Sequence, residues 1–75
     1  MKKTYTIYIR MYGEDDEPIS DFSPFTGLQH CQRGYALGAM AMAKSFYSSQ
    51  YEFVCKCDQT DEEIEHAYPR KIQLN

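Results

Sequence analysis

Cysteine and histidine are the residue types in this sequence that could bind a metal ion or carry thiol chemistry. The chain has three cysteines and two histidines, and Cys31, Cys55, Cys57 and His66 are enough ligands for a tetrahedral zinc site. Cys55 and Cys57 are separated by one residue, so a strand would point both sulfurs to the same side of a sheet. Structural zinc sites usually place about two to four residues between paired cysteines, and an unpaired cysteine packs as a small hydrophobic side chain. We therefore predict buried core thiols and no cofactor, with a small zinc-binding or thiol-containing domain as the first alternative.

Residues that could serve acid–base or nucleophilic catalysis occur without the neighbours that such chemistry requires. The serines near the end of the predicted helix have no G-x-S-x-G context, and neither His30 nor His66 has a nucleophile as a partner. The acidic stretches at residues 13–18 and 58–65 lack the ligand spacing and the central glycine of a calcium loop. We predict that the chain is not an enzyme.

Length and charge restrict the classes of protein to which the chain can belong. Seventy-five residues suit one domain, residues 1–75, with 43% hydrophobic and 15% aromatic residues to build a core. The net charge of −3 argues against dominant phosphate binding. The N-terminus has no continuous apolar segment of the kind found in a signal peptide. No stretch approaches the ~20 apolar residues of a membrane span. The odd number of cysteines does not suit a disulfide framework. We predict a reduced, cytoplasmic protein.

Two segments have the alternating pattern of β-strands. Residues 4–12 are rich in β-branched and aromatic residues, and residues 51–57 form the second strand. The side chains of the first strand that should face the core are Tyr5, Ile7, Ile9 and Met11. Residues 13–26 form a long acidic and aromatic loop, in which Phe22 and Phe25 should anchor the chain onto the core.

A long helix is predicted between the two strands. Thr26 and Gln29 have the spacing of a capping box, so the helix should begin at Thr26 and end near Ser48. At about 100° per residue, its apolar stripe should face the sheet. The residues of that stripe are Leu28, Tyr35, Ala39, Met42 and Phe46.

The C-terminal segment is predicted to form a short acidic helix. Thr60 and Glu63 make a second capping box, the helix should end near Ala67, and residues 70–74 would add a last short strand. The predicted fold class is α+β. It is a small two-layer sandwich in which a two- or three-stranded sheet packs on one long helix, with the short acidic helix at the C-terminus.

Small residues follow one side of the predicted long helix. They are Gly34, Gly38, Ala41 and Ser45, at spacings of four, three and four residues. Glycine inside a helix costs roughly 1 kcal/mol relative to alanine, so two glycines indicate a close approach by another element. The sheet or the long loop is the first interpretation of that element. A helix of a homodimer or of a partner protein is the second.

Two surface patches are predicted to bind a partner, one on the outer face of the sheet and one on the helix. They consist of Tyr8, Arg10 and Tyr12, and of Arg33, Leu37, Met40 and Lys44. Because we find no catalytic or phosphate-binding motif and tyrosine is enriched in interfaces, we predict a non-catalytic protein-binding module. Such a small regulator or inhibitor would act by surface occlusion of another protein, or would form a homodimer. By elimination, we consider a phage or mobile element that targets a host protein as its source.

The second alternative is a binder of single-stranded nucleic acid that stacks bases on sheet aromatics. Residues 7–13 and 51–57 resemble the two RNA-recognition strand motifs of RRM domains in the positions of Tyr8, Tyr51 and Phe53. The second stretch lacks the basic residue and glycine with which that motif begins, so we do not assign the chain to the family. A net charge of −3 also makes nucleic acid the less favoured partner.

Overall fold

In a computed structural model, which describes residues 2–46 and 50–69, the chain forms a four-stranded antiparallel sheet and a helix. The elements in chain order are β1 (Tyr5–Met11), β2 (Ser23–Pro24), α1 (Arg33–Phe46), β3 (Tyr51–Cys57) and β4 (Glu63–Ala67). The strand order is β2-β1-β3-β4, and α1 packs on one face of the sheet. The α+β class is confirmed. The prediction of two or three strands is wrong, because β2 and β4 extend the sheet on both sides.

The central pair of strands, β1 and β3, carries the inward side of the core. Ile7 lies opposite Cys55 and Ile9 opposite Phe53, so the apolar positions of the two strands face the same side. Against them α1 places Ala36 and Met40. The period-two pattern of both strands therefore predicted their inner face, although the last inward position of β1, Met11, is exposed.

The helix begins at Arg33, seven residues after the predicted start at Thr26, so the first capping-box prediction is wrong. The backbone is left-handed at Gly27, with φ of 89°, and at His30, with φ of 56°, and neither value is compatible with an α-helix. The segment runs beside β1 instead: the amides of Ile7 and Tyr5 donate to the carbonyls of Leu28 and Cys31, at 2.9 and 2.8 Å. These inter-segment hydrogen bonds replace the first helical turns.

The predicted acidic C-terminal helix is also wrong, because residues 63–67 form β4. The chain reverses after β3 in a turn in which Asp61 has a φ of 64°, and its amide donates to the carbonyl of Cys57 at 2.8 Å. After this reversal, Ala67 pairs with Phe53 and His66 with Val54. The predicted last strand, at residues 70–74, lies outside the described residues.

The long loop between β1 and α1 is held at several points along its length. The amide of Gly13 donates to the carbonyl of Glu17 at 2.9 Å. A Cβ at Gly13 would lie 2.9 Å from Cγ2 of Ile19, so a side chain at this position would require Ile19 to shift. Further along, the rings of Phe25 and Phe53 stack with centroids 6.1 Å apart, which anchors the loop on the core face. Within the described ranges, no helix has the length and apolarity to cross a membrane.

Candidate functional site

The helix α1 buries two alanines and Met40 against the sheet and exposes three other large apolar side chains. Ala36, Met40 and Ala43 face the sheet, within an arc of about 60° at 100° per residue. The apolar stripe that the sequence predicted to be buried points elsewhere. Its members Tyr35, Met42 and Phe46 are 64%, 58% and 71% exposed. The helix has thus turned by roughly a quarter of a circle from the predicted orientation, since its second apolar stripe is the one that packs on the sheet.

The exposed stripe has the spacing of a helix-pairing surface. Tyr35, Ala39, Met42 and Phe46, which we call the α1 seam, are separated by four, three and four residues. Alternating steps of three and four keep apolar side chains on one line of a helix, and coiled coils use this spacing. Of the four, only Ala39 is half-buried. A line of three exposed large apolar side chains is unlike scattered surface hydrophobics, which require no explanation.

An apolar cleft of about 520 Å³ lies beside the α1 seam, between the helix and the segment that contains Phe25 and Leu28. Its lining consists of Ile7, Phe25, Leu28, Gly34, Tyr35, Gly38, Ala39, Met42, Ala43 and Phe53. The hydroxyl of Tyr35 is the one side-chain oxygen or nitrogen among these residues. The cleft therefore offers apolar contact and almost no hydrogen-bonding groups.

The two glycines of the helix are exposed and do not serve internal contacts. A Cβ placed on Gly34 or on Gly38 would meet no atom of the described chain within 4 Å. The first interpretation of the small-residue ridge, a close approach by the sheet or the long loop, is therefore wrong. Ala41 and Ser45 are exposed as well, so the whole ridge faces away from the core. Glycine at these positions destabilises the helix without any compensating contact within the described chain.

The predicted helix patch is only partly on the surface. Met40 is completely buried against the sheet, which removes it from any surface patch, and Leu37 is half-buried. Arg33 and Lys44 are exposed, and the Nζ of Lys44 forms an ion pair with Glu65 at 3.3 Å. The orientation of α1 explains both observations. The same rotation that exposes the seam places Met40 in the core instead of on the outer side of the helix.

The outer face of the sheet holds an internal network in place of the predicted open patch. Arg10 donates from Nε to Oε1 of Glu52 at 2.8 Å, and the hydroxyl of Tyr12 donates to the same oxygen at 2.7 Å. Tyr12 and Glu52 are buried, and the guanidinium of Arg10 lies 4.4 Å from the ring centroid of Phe22. Among the predicted patch residues, Arg10 and Tyr12 are therefore engaged internally. Tyr8 is half-buried, with Nζ of Lys56 at 5.8 Å from its ring centroid.

Glu52 is the centre of this network, and its role could not be predicted from the sequence beyond its place on the outer side of β3. His66 lies against Glu52 through Nε2 and against Glu63 through Nδ1, at 2.8 Å from the latter carboxylate. Burial raises the pKa of the Glu52 carboxyl. Hydrogen bonds from Tyr12, His66 and Arg10 outweigh burial, and its pKa lies below the usual value. In the described part of the chain every buried side-chain nitrogen and oxygen has a hydrogen-bond partner.

The four candidate zinc ligands are separated by the sheet. Cys55 and Cys57 are buried on the core face, whereas His66 contacts Glu52 on the outer face. Cys31 is half-buried beside Tyr5 at the edge of the sheet. Burial raises the pKa of Cys55 to about 11, which keeps it a neutral thiol. Residues 2–46 and 50–69 contain no cluster of three potential metal ligands, and the zinc prediction has no site there.

A second polar cluster, which the sequence did not reveal, surrounds Asp58 at the end of β3. The hydroxyls of Thr4 and Thr6 each donate to Asp58 at 2.6 Å, and Nδ1 of His30 lies 2.9 Å from the same carboxylate. Burial raises the pKa of Asp58, but the hydrogen bonds from Thr4, Thr6 and His30 prevail and its pKa is lowered. In a catalytic triad the hydroxyl donates to the imidazole. Here both threonines donate to the carboxylate, so the cluster provides no activated nucleophile and instead ties the start of β1 to the end of β3.

The aromatic residues of the nucleic-acid alternative do not share a surface. Phe53 is buried in the core and Tyr51 packs beside it, whereas Tyr8 lies on the outer face of the sheet. Base stacking on a sheet requires the rings to lie on one open face. The α1 seam and the cleft beside it are therefore the candidate site of this chain. Comparison with known protein families, with curated protein sequences and with solved structures finds no match.

Proposed function

We propose that this chain is a non-catalytic protein-binding module whose docking surface is the α1 seam together with the adjoining apolar cleft. The observation that carries the proposal is the orientation of α1, which buries Ala36, Met40 and Ala43 and leaves Tyr35, Met42 and Phe46 in solvent. Burying a side chain of this size in an apolar environment is worth about 1.5–3 kcal/mol. In the isolated chain these side chains are largely exposed, so most of this free energy is not realised. A partner that covers the seam would bury them and stabilise the complex by part of that amount.

A protein suits this surface better than a small molecule does. Small-molecule sites combine apolar walls with a few polar groups that fix the orientation of the ligand. The cleft has almost none, with the hydroxyl of Tyr35 as the single side-chain oxygen among its lining residues. A helix that presents apolar side chains at intervals of three and four residues would match the seam along its length. The chain thus binds through shape and apolar area, the mode of many helix-in-groove complexes.

The biological role that fits such a surface is that of a small regulator or inhibitor, which acts by covering a protein surface. Cys31, Cys55 and Cys57 are free thiols. Free thiols are typical of a reducing compartment, which supports a cytoplasmic location. The outer sheet patch with Tyr8 is a weaker docking candidate, because Arg10 and Tyr12 would have to leave Glu52 before they could contact a partner.

The proposal is tested by site-specific photo-cross-linking in cells that produce the protein. A photoreactive phenylalanine analogue replaces Phe46 in one variant and Ile19 in a control variant, since both side chains are largely exposed. Adducts with a protein from position 46, absent from position 19 and lost when Met42→Glu is added, are the expected result. Equal adducts from both positions, or none from position 46, would contradict a docking surface on α1.

A further inference from the structure

The seam has the same spacing of four, three and four residues from either end, and reversing it exchanges its short residue with its long one. Its order is an aromatic residue, a short residue, a long flexible residue and an aromatic residue: Tyr35, Ala39, Met42 and Phe46. We propose that the occupant of the seam is the α1 helix of a second copy of this chain, packed antiparallel about a two-fold axis. The inference rests on the proposed function and names the partner for that surface.

The antiparallel arrangement matches every position of the seam to a complementary one. Tyr35 meets Phe46 of the second copy at both ends, and Ala39 meets Met42 twice in the middle. Small residues then face large ones, as interdigitated cores require. A parallel pair would place Ala39 on Ala39 and leave a gap, and it would also align the two helix dipoles unfavourably. A two-fold interface uses the same patch on both copies, which this pattern permits.

The flank of the seam allows two helices to approach closely. Gly34 and Gly38 border the seam, since they line the cleft together with Tyr35, Ala39 and Met42, and a Cβ on either glycine would meet no atom of the described chain beyond the neighbouring backbone of α1 within 4 Å. Short side chains let two helix backbones come nearer than ordinary packing distances. The two glycines make no internal contact that requires a missing side chain in the described chain. At such an interface they would contact the second copy.

Charge does not oppose the pairing. None of the seam and flank residues carries a charge, because Arg33 and Lys44 project from another side of the helix. Lys44 is also paired with Glu65, 3.3 Å away on β4. Removing an unpaired ion from water costs free energy at an interface. Covering the seam does not require this, since none of its residues is charged.

The area available is that of a weak but specific dimer. With about 200 Å² for each large side chain, the exposed fractions of Tyr35, Met42 and Phe46 amount to roughly 400 Å² per copy, or about 800 Å² for the pair. This total lies just below the ~1,000 Å² at which specific interfaces begin, in the range of weak and transient associations. An interface of this size is expected to dissociate in the micromolar range.

Sedimentation of the reduced, purified protein tests the inference across roughly 1 to 500 µM, a range that brackets the expected micromolar dissociation constant. The mass should rise with concentration from that of the 8.8 kDa chain to twice that value. Met42→Glu should weaken association at least 100-fold while circular dichroism and the thermal midpoint show a folded chain. Ile19→Glu, at an equally exposed apolar side chain outside α1, should dimerise like the unmodified protein.

Orientation is tested by charged substitutions at the two ends of the seam. Tyr35→Lys and Phe46→Glu should each weaken the dimer. In an antiparallel pair, the double variant places the two new charges opposite each other at both ends, so association should recover and should weaken again in high salt. A double variant weaker than either single variant would overturn the antiparallel arrangement.

The outcomes separate this inference from the proposed function. A chain that stays monomeric to about 500 µM, or a dimer that is indifferent to Met42→Glu, overturns self-association through α1. If cross-links from position 46 then reach a different protein, the docking surface stands with another occupant. If they reach no protein at all, both proposals fail.

Discussion

Replacing Gly38 by alanine should stabilise the folded chain. Gly38 lies in the middle of α1 with its Cα facing solvent, and a Cβ there would meet no atom of the described chain within 4 Å. The substitution therefore introduces no clash and buries no new area in the monomer. What remains is the difference in helix propensity, since alanine loses less backbone entropy on folding than glycine does.

The expected gain is about 1 kcal/mol in the free energy of unfolding, the usual difference between glycine and alanine inside a helix. For a domain of this length that corresponds to a rise of roughly 4–8 °C in the thermal midpoint. The reverse change at Ala41→Gly, also exposed and three residues further along α1, should lower the midpoint by a similar amount. A double variant should return close to the original midpoint.

Thermal unfolding followed by circular dichroism measures these shifts, at a protein concentration of about 1 µM so that association through the seam contributes little. A midpoint that falls in Gly38→Ala while Ala41→Gly behaves as expected would refute the reasoning. It would mean that an internal group contacts Gly38 and that the ridge is not open. In that case a contact within the fold, and not an interface with another chain, would explain why glycine occurs in α1.

Three further perturbations concern the polar groups. Glu52→Gln removes the charge to which Arg10 and Tyr12 donate hydrogen bonds, and we expect the free energy of unfolding in urea to fall by about 3 kcal/mol. A fall of less than about 0.5 kcal/mol would show that the network contributes little to stability. Because the pKa values of Glu52 and Asp58 lie below the usual 4.5 and 3.8, their contribution to stability is complete above those values and is lost as the pH falls through the folded-state pKa values. The urea midpoint should thus be constant from pH 7 to about 5 and should decrease at lower pH. In Glu52→Gln this decrease should be smaller. The same decrease in the variant as in the unmodified protein would show that Glu52 is not one of the groups responsible. The carbonyl of Gln32 accepts the first helical hydrogen bond, from the amide of Ala36 at 2.9 Å, and the first turn of α1 has no acidic residue. Gln32→Asp should therefore raise stability by about 1 kcal/mol in thermal unfolding, whereas a matching gain in Gln32→Ala would exclude capping as the cause.

The strands could be predicted from the sequence because their pattern is local. Alternation in residues 51–57 predicted β3 with its bounds, and alternation in the first strand predicted which side of β1 faces the core. A period of two determines the face of each residue without reference to any other element. The same logic did not reveal β4, because Thr60 and Glu63 have the spacing of a capping box. In the structure the backbone at Asp61 is left-handed and the residues after it pair back onto β3, a long-range contact that a local pattern does not reveal.

The orientation of the helix could not be predicted, because α1 has two apolar stripes. One contains Ala36, Met40 and Ala43, and the other is the seam, with larger side chains. Hydrophobicity alone selects the larger stripe for the core. The sheet instead takes the stripe of two alanines and Met40, which packs in one cluster with Phe53 and Cys55. The sequence predicted that one apolar stripe of α1 faces the core, and the helix has a second stripe that the sheet uses instead.

The position of β1 in the sheet has a consequence for how the chain folds. β1 is first in sequence but lies in the interior of the sheet, and its partners in β3, from Tyr5 with Cys57 to Met11 with Tyr51, are 40 to 52 residues away. During synthesis the first strand emerges from the ribosome long before the strand that completes its ladder. Loop closure over this distance has to precede most of the favourable contacts, so folding is slower than for a helical domain of equal length. The nascent chain therefore remains without its central strand pair until residues 51–57 have been made, and it acquires its core only when β3 pairs with β1.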